Sequence, residues 1–137
     1  MLTYSLREHC DPNDVLDELG RRYQAHGYRR LQYELDEPSM ALKDGWEDEV
    51  YTLRGETIRR REREQCWLKL APAVTRLRVS LSQSREGPVT VTAIVVALAS
   101  DRMKEILAYA EVHPEAFDPE DVERLRSGVE ANASEKR

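Results

Sequence analysis

The chain has 137 residues, 40% apolar and 34% charged, with a formal net charge of −5. This length suits one domain with a sizeable core, and the longest apolar run, Ala93 to Ala99, falls far short of the roughly 20 residues that a membrane-spanning helix requires. The opening residues Met1 to Arg7 lack the basic and apolar regions of a signal peptide, and two cysteines are too few for a disulfide framework, so the expectation is a cytoplasmic protein with reduced thiols.

Leu2, Tyr4 and Leu6 alternate with Thr3, Ser5 and Arg7, the period of a half-buried strand. Asp11-Pro12-Asn13-Asp14 then supplies an N-cap, a first-turn proline and an acid beside unpaired N–H groups. A helix over 12–26 follows, with Val15, Leu16, Leu19 and Tyr23 on one stripe and Gly27 as its stop. Leu31, Tyr33 and Leu35 alternate within 28–35, which predicts a second strand. From Asp36 to Asp48 there is Pro38, Gly45 and no sustained period, hence a loop.

Residues 48–63 read as a hairpin with Gly55-Glu56 as a type II′ turn, a register that sets Leu53 opposite Ile58 and Asp48 opposite Arg63. The competing helix over 56–70 would have no apolar stripe between Arg59 and Glu64. Cys66 to Leu70 should be another extended piece, and Pro72 interrupts any regular structure that follows. A second hairpin covers 74–98: Leu77, Val79 and Leu81 alternate with Arg76, Arg78 and Ser80, and Arg85-Glu86-Gly87-Pro88 makes the turn. A four-residue loop would pair Leu81 with Thr92, Val79 with Ile94 and Leu77 with Val96. Ala93 to Ala99 is apolar at every position, which predicts cover on both faces, from helices or from a second copy packing sheet on sheet. Ser100 should cap a helix over 101–112, Asp118-Pro119 should start a shorter one ending near Gly128, and 132–137 reads as a flexible tail. The sum is a single α+β domain over 1–131, with a mainly antiparallel sheet of about five to seven strands, a strand-helix-strand start and two C-terminal helices on the sheet.

Charge is unevenly spread along this framework. Residues 1–53 hold 6 basic and 12 acidic side chains, residues 54–86 hold 9 and 4, and the remainder 6 and 10. Arginine matches carboxylate and phosphate bidentately, so Arg59, Arg61, Arg76 and Arg78 are the candidate ligand- or partner-binding residues. The interleaved Glu56, Glu62 and Glu64 offer cross-strand partners and point away from nucleic acid. No Gly-rich phosphate loop, zinc-type cysteine spacing or nucleophile elbow occurs. His9-Cys10 are strand neighbours that would face opposite ways, and neither Cys10 and Cys66 with His9, His26 or His113, nor Glu47-Asp48-Glu49, has a spacing that specifies a metal. No catalytic residue, cofactor or metal is therefore assigned.

The order of strand, helix, strand, Arg-rich strand and further antiparallel strands resembles the triphosphate-tunnel (CYTH-type) family, which is marked by an acidic E-x-E-x-K strand near its N-terminus. The corresponding strand here offers Thr3, Ser5 and Arg7, so the metal-binding carboxylates that the resemblance would imply are absent. A helix-grip ligand-binding fold fits the same order about equally well, though its closing helix should be longer than the one after Ser100. The functional expectation is a non-enzymatic interaction or adaptor module working through its sheet surface or by homodimerisation. The alternative is a domain for a small phosphate-type anion, in its divergent form a hydrolase, using the sheet arginines.

Overall fold

In the computed structural model, which describes residues 1–85 and 87–135 and only the backbone of 132–135, the first strand, β1, spans Leu2–Ser5. Asp11 then caps α1 (Pro12–Ala25), its side chain accepting from the Asn13 N–H at 2.9 Å. Gly27 ends the turn after α1 with φ 91°, a left-handed value that glycine adopts without steric cost.

β2 is only Arg29–Arg30, shorter than the strand expected over 28–35. Leu31 and Leu35 are buried as the alternation requires, but the chain folds back on its own loop: Leu42 N–H donates to Gln32 O, Glu34 N–H to Met40 O, and Tyr33 bridges Ala41. β3 (Glu47–Leu53) and β4 (Glu56–Lys69) form the next hairpin. Its turn is Arg54-Gly55, with φ values of 52° and 82°, the two positive angles of a type I′ turn. The register therefore sits two residues from the expected one: Leu53 pairs with Glu56, Tyr51 with Ile58 and Asp48 with Arg61. A shift of two preserves faces, and β4 is a strand throughout rather than the competing helix.

β5 (Thr75–Ser84) and β6 (Thr90–Ala97) are offset by one residue from expectation. Leu81 pairs with Val91, Val79 with Ala93, Leu77 with Val95, and Ser80 and Ser82 with Thr92 and Thr90. The connection is longer than four residues because Val89 turns into the core and its carbonyl accepts from the Leu6 N–H at 2.8 Å. A shift of one exchanges faces, so apolar residues now meet apolar ones. Ser100 lies within a 3₁₀ turn, Ser100–Arg102, and makes no side-chain cap; α2 spans Met103–Val112. After a second 3₁₀ turn, Pro114–Ala116, helix α3 starts at Pro119, with Asp118 accepting from the Glu120 N–H. It continues through Gly128 to Glu135. Of the segment read as a tail, 136–137 lies outside the described residues.

Six strands among the described residues make one antiparallel sheet in the order β1-β6-β5-β4-β2, with β3 also on β4. Each face carries a core. Leu16 of α1 packs on Trp67, Leu77, Val79, Leu81 and Val91, while Ile106, Tyr109 and Phe117 pack on Leu68 with Leu31 and Leu35. Adjacent Trp67 and Leu68 belong to different cores because neighbours on a strand point to opposite faces. The expected α+β class, with a strand-helix-strand start and two C-terminal helices, is what the fold shows. No helix among the described residues is long and apolar enough to cross a membrane. Within the chain, helices do not cover the middle of the apolar run Ala93–Ala99: Ile94, Val95 and Val96 are 36%, 57% and 41% exposed, while Leu98 packs against the core under α2 and α3.

Candidate functional site

The pairing of β4 with β5 sets Arg61 opposite Gln83 and Cys66 opposite Arg78. Arg59, Arg61 and Arg63 thus share the face that α1 covers, while Arg76 and Arg78 point to the face of α2 and α3. The four candidate arginines do not converge on one cavity. Arg59 is exposed and pairs with Val50 across the ribbon. Arg78 approaches Glu64 at 3.2 Å, although its buried Nε lacks an aligned hydrogen bond, so the contact is one of charge. Cys66 sits beside this pair; burial pushes its thiol above the ordinary 9.0, Glu64 adds to the rise and Arg78 opposes it.

Arg61 belongs to a connected polar set. Its Nε donates to Gln83 Oε1 at 2.7 Å, its guanidinium lies 4.2 Å from the centroid of the Trp46 ring, and Gln83 Nε2 donates to Gly87 O. Trp46 Nε1 and Arg63 Nη1 both donate to Asn13 Oδ1, at 3.2 and 2.7 Å. Arg63 also donates to Asp44, which pairs with Arg30 at 2.6 Å. Burial alone would raise the Asp44 carboxyl, but the hydrogen bonds and charges of Arg30 and Arg63 outweigh it and hold the group below its ordinary 3.8. Asn13, Asp44, Trp46 and Gln83 were not singled out by sequence; a lone tryptophan in the polar loop 36–48 was the one available signal.

Three of the clefts among the described residues bear on this framework. One, of about 600 Å³, is a notch at the β4 edge between β3 and β2, where Glu47 stands directly opposite Glu62 and Arg30, Asp44 and Cys66 contribute to the wall. The second, of about 550 Å³, is lined by Arg7, Cys10, Arg61, Gln83 and Val89, with Glu8 and none of the other candidate arginines. The third, of about 320 Å³, wraps the β2 edge and has aromatic walls. Among the described residues, no three His, Cys, Asp or Glu side chains are grouped to hold a metal, and both cysteines are free. Glu49 and Asp48 instead face Arg60 and Arg61 across the ribbon.

Comparison with protein-family models, with curated proteins and with solved structures found no match for this chain. What the coordinates define is therefore a class by architecture: an open antiparallel sheet with α1 on one face and α2 and α3 on the other. The sheet ends at β1 and β2 rather than closing on itself, so the likeness to a triphosphate tunnel stops at element order.

Proposed function

We propose that this protein is a non-enzymatic interaction module that docks a second copy of itself through the open edge of β6. The observation that carries the reading is the exposure of Ile94, Val95 and Val96 on a strand whose first half is half-buried around a buried Val91. β1 pairs with Thr90 to Ala93 and stops there. Leu98 N–H bonds to Val74 O, on the β5 side, and Leu6 N–H to Val89 O, on the β1 side. By the alternation of an antiparallel ladder, Val95 and Ala97 turn their N–H and C=O groups to the open side.

A bare apolar edge with no charge, proline or bulge is what soluble monomers avoid. Edge pairing about a two-fold axis beside Val96 would let Val95 and Ala97 of each copy exchange both backbone bonds. It would also give neighbours to Val95 on one face and to Ile94 and Val96 on the other in a single contact. Sheet-on-sheet stacking would cover one face only, so edge pairing is the better-supported geometry.

Analytical ultracentrifugation of the native chain up to high-micromolar concentration should reveal a monomer–dimer equilibrium. Val95→Lys puts a charge at an exposed edge position and should leave a folded monomer. A native chain that stays monomeric across that range would sink the reading. The second reading, a small-anion domain, is supported by Arg7 and Arg61 in the 550 Å³ cleft, although Arg61 is already engaged by Gln83 and Trp46. It takes precedence if the native chain stays monomeric and inorganic triphosphate raises its Tm but not that of Arg61→Ala.

A further inference from the structure

The two sides of the sheet end in unlike surfaces. At the β1 side, Tyr4 pairs with Val91 and so shares the face that α1 covers. The helix turns Asp11, Asp14, Val15, Glu18 and Leu19 toward it, spaced three and four apart as one side of a helix requires. Between them lies an open cleft of about 400 Å³ whose apolar floor is Tyr4, Val15 and Leu19. Its rim is acidic: Arg22, the base of the lining, is paired with Glu18 at 3.4 Å, Asp11 caps the helix, and Asp14 makes no ion pair among the described residues.

At the other side the β3–β4 hairpin runs past the end of β5, and its tip is apolar and basic. Val50 and Leu53 are 62% and 53% exposed, and Arg54 and Arg59 make no ion pair among the described residues, with Glu56 the acid of the turn. Arg54 holds φ 52°, at a turn position where asparagine, aspartate or glycine is favoured. A residue held at such a backbone cost points to a role outside the turn itself. Because β1 stands at one edge of the sheet and β3 beyond β4 at the other, a chain cannot fill its own cleft.

We propose that the β3–β4 tip of one copy seats in the β1–α1 cleft of a second copy, Leu53 against Tyr4, Val15 and Leu19 and Arg54 facing the acidic rim at Asp14. Complementarity fixes the occupant: one surface joins apolar side chains to carboxylates, the other joins apolar side chains to guanidinium groups, and both belong to this chain. Two different surfaces meet, so the contact is head-to-tail and does not close on two copies. A hairpin tip buries less than a standard interface, which makes the contact weak and transient. It acts in the millimolar range, above the concentrations at which β6 edges pair, and strings copies into longer assemblies. It uses none of the β6 residues, so either proposal can fail alone.

The test is a series of ¹H–¹⁵N correlation spectra of the native chain up to millimolar concentration. The amides of Leu53 and Gly55 at the tip and of Val15, Glu18 and Leu19 at the cleft should shift together with one midpoint, while those of Val95 to Ala97 report edge pairing separately. Salt at about 1 M, where charges are screened beyond about 3 Å, should weaken the contact by about fivefold. Arg54→Asn supplies a residue that the turn favours, so it should fold at least as stably as the native chain while weakening the contact by about fivefold. Unlabelled native chain added to ¹⁵N-labelled Arg54→Asn should move the labelled cleft amides more than the labelled tip amides. The proposal is overturned if tip and cleft amides stay in place across the series, if one set moves without the other, or if Arg54→Asn associates as tightly as the native chain. Cleft shifts with a short peptide bearing Leu and Arg, and none with the chain itself, would assign the cleft to another protein and overturn the self-contact.

Discussion

Asp44 receives guanidinium groups from two directions, Arg30 of β2 and Arg63 of β4, and so fastens the loop before β3 to the sheet. Because its folded pKa lies below the ordinary 3.8, its contribution to stability is fully present above that value. It is lost as pH falls through 3.8 and then through the lower folded value. The carboxylate is partly solvated, so screening limits the effect. Asp44→Asn should cost about 1 kcal/mol at neutral pH, and the gap from the native chain in urea unfolding should close below pH 4. A gap that is constant with pH would mean that the two ion pairs do not contribute through charge. None of this was legible beforehand: Arg63 and Asn13 are 50 residues apart, and nothing in the local pattern announces a contact at such separation. The arginines themselves were legible as a group. Their division between faces was not, because it depends on the register of β4 against β5.

Elements were readable where their signal is local. The caps at Asp11 and Asp118, the stop at Gly27 and the stripe of α1 follow from neighbours along the chain, and the fold has all of them. Registers follow from turns, which are less explicit. Gly55-Glu56 satisfies a type II′ rule, but the chain uses Arg54-Gly55 and accepts a positive φ at an arginine, an uncommon cost. For β5 and β6 a better criterion was present: Ser80 and Ser82 match Thr92 and Thr90 only in the observed register. Close approach of α1 to the sheet gives the test at this scale. Gly20 is buried, and a Cβ there would stand 3.0 Å from Trp67 Cζ2. Gly→Ala in a helix normally gains about 1 kcal/mol. Against an indole held by Tyr23, overpacking should outweigh that gain, so that Gly20→Ala lowers stability by about 1 kcal/mol. A variant more stable than the native chain in chemical denaturation would show that the indole can yield.

For the molecule as a whole, the two cores differ in reach. The core under α1 is centred on Trp67 and the middle of β5, and the core under α2 and α3 on Leu68 near the end of β4, and neither extends over the far half of β6 or the tip of the β3–β4 hairpin. The first omission leaves the apolar edge proposed as a docking strand. The second has a consequence of its own. From Glu56 to Ile58, β4 pairs with β3 alone, whereas Arg59 O accepts from the Arg85 N–H and from Arg60 onward β5 joins it, and every residue of β3 is exposed. An isolated two-stranded ribbon is marginally stable in water, so one continuous strand carries both a weak and a strong segment. Amide hydrogen exchange should report this as a gradient along β4. Thr57 and Ile58 should exchange through local opening, orders of magnitude faster than Trp67 and Leu68, which should wait for global unfolding. Uniform protection along the strand would refute that picture. A steep gradient would mean that the hairpin tip spends part of its time as unpaired chain, able to reshape itself against whatever it meets.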